Sequence, residues 1–185
     1  MSLRRNAKRR KNKEFYMEKE MIDLVDVNDN IIGITDVDTA HRLKQFHRVV
    51  AVFIFDIDGD LYLQKENKYG RYDNSVGGHV GLSESYKNAA QREMQEELGL
   101  NITIKEISIF LPTRAHLNHR WALYEGVAPI NWEFRETEEV KVIEKLRIED
   151  VITLINKFPE SFTYGFINTM KEYIRVKKLP YILNI

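Results

Sequence analysis

The 185-residue chain is 43% hydrophobic and 30% charged with a formal net charge of zero, the composition of a globular protein of about one domain rather than a disordered or fibrous one. It contains no cysteine, which excludes disulfides, thiolate nucleophiles and cysteine-ligated zinc. No window approaches the roughly 18 apolar residues that cross a bilayer, and no apolar stretch follows the basic N-terminus as in a signal peptide, so a soluble cytoplasmic protein with no membrane partner is expected.

Seven basic residues (Arg4, Arg5, Lys8, Arg9, Arg10, Lys11 and Lys13) and no acid fall within residues 1–13. No aromatic residue is interleaved among them for stacking on bases, so residues 1–15 read as a solvated tail rather than a nucleic-acid arm, followed by one domain over 16–185. Met21 to Val27 and Ile31 to Thr35 flank the turn residues Asn28-Asp29-Asn30 and predict a hairpin. Asp36 to Lys44 reads as a connecting turn or short helix, and the β-branched and aromatic run Val49 to Phe55 as a central strand. Asp58-Gly59 turns the chain into Leu61 to Leu63, and the polar stretch Asn67 to Asn74 reads as loop.

Over Ser83 to Leu98, Tyr86, Ala90, Met94 and Leu98 recur at four-residue spacing, and Gly99 supplies a stop, predicting a helix. Ile102 to Leu111, Arg120 to Val127 and Glu139 to Leu146 read as strands. Ile148 to Asn156 and Ser161 to Lys177 read as helices separated at Pro159. Alternating strands and helices without repeats predict an α/β fold with helices packed on a mixed sheet.

The chemistry concentrates at Gly78, Glu84 and the run Arg92-Glu93-Met94-Gln95-Glu96-Glu97-Leu98-Gly99-Leu100. At 100° per residue Arg92, Glu93, Glu96 and Glu97 share a sector of roughly 140°, away from Met94 and Leu98. Carboxylates at such spacing repel by a few tenths of a kcal/mol per pair. A hard divalent cation such as Mg²⁺, which binds oxygen ligands together with substrate phosphates, would offset that cost. Arg92 can pair with Glu84, and Gly77-Gly78 permits close backbone approach.

This spacing resembles the Nudix box, Gly-x5-Glu-x7-Arg-Glu-U-x-Glu-Glu-x-Gly-U, at every specified position. The resemblance implies an α/β/α sandwich around a mixed sheet and a pyrophosphohydrolase using Mg²⁺, with Mn²⁺ as substitute, on a small-molecule diphosphate. It implies Glu96 and Glu97 as main metal ligands together with the Gly77 carbonyl, and Glu93 as a ligand or the group orienting the attacking water. Arg92, Gly78, Glu84 and Gly99 then support the carboxylates, and Glu136, Glu138 or Glu139 from a later loop supplies an additional acid. Nucleoside di- or triphosphates and related nucleoside diphosphate derivatives are the first expected substrates, non-nucleotide diphosphates such as prenyl or sugar compounds the second.

The stretch Tyr72 to Val80, with Gln45 to Val50 upstream, resembles the branch that includes isopentenyl diphosphate isomerase. Those isomerases carry an essential cysteine at the position of Gly77, so hydrolysis is preferred to isomerisation. His41, His47 and His79 resemble histidines that hold a second metal there, but the His41–His47 spacing differs. They are therefore read as hydrogen-bonded side chains, with His47, His79 and Tyr72 as candidate substrate contacts. Tyr69, Arg71, Arg114, His116, His119, Arg120 and Trp121 are further candidates for stacking or phosphate contact.

Phe53 to Asp60 resembles the nucleophile motif of haloacid-dehalogenase phosphatases, but Asp60 stands where that motif has Thr or Val, and a hairpin turn is the reading preferred. A nucleotide-binding sensor without catalysis is a further alternative, disfavoured because all three helix carboxylates are present. Whether the chain is a monomer or a homodimer is left open by the sequence.

Overall fold

A computed structural model of the chain describes residues 19–66, 68–112 and 118–185. The tail read over residues 1–15 and the candidates Arg114 and His116 lie outside these. Among the described residues no helix is long and apolar enough to cross a membrane.

The longest strands, β3 (His47–Phe55) and β8 (His119–Val127), pair in parallel along their whole length, from His47 opposite His119 to Phe55 opposite Val127. Strand β3 also pairs antiparallel with β1 (Met21–Val25), β4 (Leu61–Lys65) and β6 (Val76–His79). Strand β2 (Ile31–Asp36) extends β1, β5 (Tyr72–Asp73) and β9 (Ile143–Leu146) pair with β4, and β7 (Ile104–Phe110) covers β8. The sheet is therefore mixed.

Period-two alternation along β3 decides which layer each residue serves. Val50, Val52 and Ile54 pack against Ala89, Ala90, Met94 and Leu98 of helix α2 (Tyr86–Leu98). Ala51 and Phe53 point the other way, into Val151 and Ile155 of α3 (Ile148–Lys157) and Phe166, Met170 and Tyr173 of α4 (Tyr164–Lys177). Both faces of β3 are thus buried, and its sequence is correspondingly a nearly continuous apolar run. Each large side chain fully buried here contributes roughly 1.5–3 kcal/mol of transfer free energy. Helices on both faces make an α/β/α sandwich.

The predicted hairpins and the central strand are present, and Asp36 to Lys44 contains helix α1 (Val37–Leu43), capped by the Asp36 side chain on the Thr39 amide. The Asp56 carboxylate accepts from the amides of Asp58 and Asp60 and pairs with Lys145 at 2.6 Å, which makes this segment a self-bonded hairpin turn. Helix α2 begins three residues later than expected, because Ser83 has φ 57° and Ser85 is the N-cap. Strands β5 and β6 lie where loop was read or nothing was assigned; two of the four residues of β6 are glycine, which removes the side-chain signal of a strand. Of Glu139 to Leu146 only Ile143–Leu146 is strand; Val140, though 2% exposed, is held in a turn, its carbonyl accepting the Thr137 amide and its amide donating to the Thr137 hydroxyl.

Candidate active site

Helix α2 is held in place at both ends. The Ser85 hydroxyl accepts the Asn88 amide at 3.2 Å, and Gly99, at φ 63°, returns its N–H to the Gln95 carbonyl at 3.0 Å. These caps satisfy backbone groups that the helix itself leaves unpaired. Ahead of the helix, Glu84 accepts the Gly81 amide at 2.9 Å and both arms of the Arg92 guanidinium at 3.1 and 3.0 Å. Arg92 also reaches the His79 carbonyl at 2.9 Å, Glu93 at 2.7 Å and Glu96 at 3.0 Å. One guanidinium therefore ties loop, strand β6 and two helix carboxylates together, a task that suits its rigid fork of donors.

The helix-face geometry sorts the three glutamates. Glu93 and Glu97 are 7% and 8% exposed, whereas the side chain of Glu96 is 47% exposed. Burial pushes the Glu93 carboxyl up to about 7, against the pull of Arg92. It pushes Glu97 up to about 8, against hydrogen bonds from Gly77 and Gln64. Those bonds are the Gly77 amide at 3.1 Å and the Gln64 amide at 2.7 Å, both donated to one Glu97 oxygen. A third carboxylate, Glu139, comes from the loop before β9, and Glu93, Glu97 and Glu139 place one oxygen each within 4.8 Å of one another. Three carboxylates gathered this closely suit a hard divalent cation.

Of the three acids expected beyond the box, the fold brings Glu139 to the helix. Glu136 pairs with Lys141 at 2.9 Å, and Glu138 is exposed. Glu96, expected as a main ligand, is outside the cluster, turned to the rim and held by Arg92. Gly77, expected as a ligand through its carbonyl, meets Glu97 through its amide.

Beside this cluster lies a cavity of about 370 Å³, lined by Gln64, Asp73, Gly77, Gly78, His79 and Glu97 together with Trp121, Thr163, Tyr164 and Asn168. His79, a candidate substrate contact, is among the lining residues. His47 is not: it is 1% exposed and behind the wall. Tyr72 is turned away, its hydroxyl donating to Glu144 at 2.5 Å and its ring on Phe162. Arg71 is bound to Glu66, and Arg120 reaches the Val27 carbonyl and Asp29.

His41, His47 and His79, read as separate hydrogen-bonded side chains, converge instead with His119 into one cluster. Burial and the neighbouring histidines push His79 down to about 4 and His119 to about 3.

Sequence reasoning did not single out Gln64, Asp73, Thr163 or Asn168. A single polar residue on a strand carries no motif, and these four meet only through pairing of β4 with β5 and docking of α4.

A family model, the NUDIX domain, matches residues 45–166. The chain belongs to the Nudix family. It is 32% identical over 170 residues to an isopentenyl-diphosphate Delta-isomerase of Serratia proteamaculans, covering 83% of this chain and 90% of that one. It is 27% identical over 164 residues to a prenyl-diphosphate phosphatase of Methanosarcina mazei, covering 82% and 96%. Among solved structures, the Deinococcus radiodurans protein DR0079 superposes with a TM-score of 0.70 at 25% identity, covering 85% of this chain and 99% of that one. The Nudix fold and the box on α2 are thus in agreement with the sandwich described above.

Proposed function

We propose that this Nudix protein hydrolyses a diphosphate bond in a small phosphorylated molecule, with a divalent cation, Mg²⁺ or Mn²⁺, held by Glu93, Glu97 and Glu139. The observation that carries this reading is the convergence of those three carboxylates beside a cavity that Glu97 lines. When bound, such an ion neutralises charge on the diphosphate oxygens and makes a water more acidic. Glu93, held by Arg92 at the helix face, takes the proton from the attacking water. Gln64 and the Gly77 amide fix one oxygen of Glu97 and leave the other toward the cluster. Arg92 and Glu84 position the carboxylates and do not react.

The cavity offers the Trp121 and Tyr164 rings together with the polar groups of Asp73, Thr163 and Asn168, which suits a flat group with a polar edge. A nucleoside diphosphate derivative is the substrate this favours. A short prenyl diphosphate is the second reading, favoured by the names of the two relatives above. Isomerisation by a cysteine is not part of either, since the chain has none. A panel of nucleoside and prenyl diphosphates, assayed for released phosphate with Mg²⁺ or Mn²⁺, tests the proposal. Turnover of neither class would count against it.

A further inference from the structure

The three carboxylates of the acidic cluster are not held alike. Glu93 and Glu97 are carried by helix α2, whereas Glu139 lies between β8 and β9, beside Glu138 at the tip of a bend. Both tip residues are exposed, so burial of their own side chains does not decide which of them turns to the helix. That direction has to come from the base of the bend, where Thr137 sits.

Every polar group of Thr137 is committed. Its amide donates to the Val140 carbonyl at 3.0 Å, and its hydroxyl accepts the Val140 amide at 3.0 Å. Thr137 thus grips Val140 by both backbone groups, with Glu138 and Glu139 spanning the gap. Its carbonyl accepts the Lys141 ammonium at 2.7 Å, and Lys141 also pairs with Glu136 at 2.9 Å. The hydroxyl proton is donated out of the loop, to the Glu97 carbonyl at 3.2 Å. Such a group has one proton to give and lone pairs with which to accept, so a single side chain serves both backbone groups.

The recipient matters. The last carbonyls of a helix find no partner within it. Those of Met94 and Gln95 take the amides of Leu100 and Gly99, and that of Glu97 takes Thr137. The main chain of Glu97 therefore holds the loop, while its carboxylate lies with those of Glu93 and Glu139, one oxygen of each within 4.8 Å of the others. On either side of the bend the chain is pinned by apolar packing, Trp132 against Tyr62 at 5.1 Å between ring centroids and Val140 at 2% exposed. Packing of that kind is non-directional, whereas the hydroxyl bond is directional.

We propose that Thr137 is a positioning residue for the hydrolysis: its hydroxyl, clasped between the Glu97 carbonyl and the Val140 amide, sets the Glu139 carboxylate beside Glu93 and Glu97 and so completes the cation site. The inference rests on the reading above that these three carboxylates hold the ion. Thr137 acts through Glu139 and offers no ligand itself, since its hydroxyl is already engaged by the two backbone groups. Supporting residues of this kind commonly change metal affinity by about tenfold to a hundredfold when removed.

The test measures Mn²⁺ binding to the full chain by electron paramagnetic resonance, after chelator treatment and with no substrate present. Glu97→Gln identifies the bound Mn²⁺ that belongs to the carboxylates, and the readout is independent of whether any diphosphate is hydrolysed. Thr137→Val, isosteric but without the hydroxyl, should weaken that binding about tenfold. Thr137→Ser, which restores the hydroxyl, should stay within about twofold of wild type, as a role confined to filling space would not require. Glu139→Gln should weaken binding at least as much as Thr137→Val. In the Glu139→Gln background Thr137→Val should add less than about twofold, because nothing is left for it to position. Thr137→Ala is read in the same way if circular dichroism shows that Thr137→Val does not fold. Wild-type Mn²⁺ affinity in Thr137→Val, or losses that multiply in the double variant, would overturn the proposal and leave the carboxylate site standing. Wild-type affinity in Glu139→Gln would instead remove Glu139 from the site, and the proposal with it.

Discussion

Gly78 and Glu93 are in such close approach that a Cβ on Gly78 would lie 2.1 Å from the Glu93 carboxyl carbon and 2.2 Å from one of its oxygens. The strand passes under the helix at that point because position 78 has no side chain, and the Glu93 carboxylate occupies the space. Gly78→Ala should therefore displace Glu93 from its partners Arg92 and Glu139. The side chain can swing away, so the fold should survive with a loss of about 1–3 kcal/mol. Turnover should fall at least tenfold, and steady-state assays beside thermal melts separate the two effects.

Glu93→Gln and Glu97→Gln should each reduce turnover a hundredfold or more, about 2.7 kcal/mol of lost transition-state stabilisation, without unfolding the protein. Glu96→Gln should cost less than either, because that carboxylate is at the exposed rim. Glu106→Gln, on the exposed side of β7, serves as control and should retain nearly full turnover. Equal losses at Glu96 and Glu97 would contradict the ordering read from their burial.

In metal-free buffer the box glutamates make stability depend on pH. Burial raises the native pKa of Glu93 to about 7 and of Glu97 to about 8, from an ordinary 4.5. The native state then holds protons that the unfolded chain has already released. Their contribution is complete below pH 4.5 and is lost as pH rises through 7 and 8. The depressed histidines act the other way, removing stability as pH falls below 6.5 toward 3 to 4. Denaturant melts across this range should show a decline above neutrality that Glu97→Gln flattens and added Mg²⁺ reverses; a flat alkaline limb in the wild type would refute the assignment.

Asn168→Leu distinguishes the two substrate classes. Asn168 is 8% exposed and lines the cavity with Gln64. Replacing its amide with an apolar group should raise KM for a nucleoside diphosphate derivative about tenfold, or 1.4 kcal/mol. For a prenyl diphosphate KM should fall or stay level. A rise for both would assign Asn168 to the scaffold.

What could be read from the sequence was whatever has a period or a fixed spacing. Val49 to Phe55 announced a central strand, and the frame from Gly78 to Leu100 announced the box, because both are local. The site's remaining parts depend on pairings distant along the chain. Gln64 meets Glu97 across 33 residues, and Glu139 reaches the helix only because its loop crosses back before β9. The histidines show the same limit most clearly: along the sequence His41 and His119 are 78 residues apart, and only the parallel register of β3 with β8 and the seating of α1 bring them together. Glu96 shows the converse. A helical wheel groups it with Glu93 and Glu97, but the wheel does not say which part of that face the fold covers, and the side chain of Glu96 is left 47% exposed.

The most direct measurement is phosphorus NMR of diphosphate substrates incubated with wild type and Glu97→Gln, each with Mg²⁺ and with excess chelator. Wild type with Mg²⁺ should convert the diphosphate signals of at least one compound to hydrolysed phosphate products, while chelator or Glu97→Gln slows that conversion a hundredfold or more. Hydrolysis at the wild-type rate in Glu97→Gln, or undiminished by chelator, would contradict metal-dependent catalysis at the α2 carboxylates.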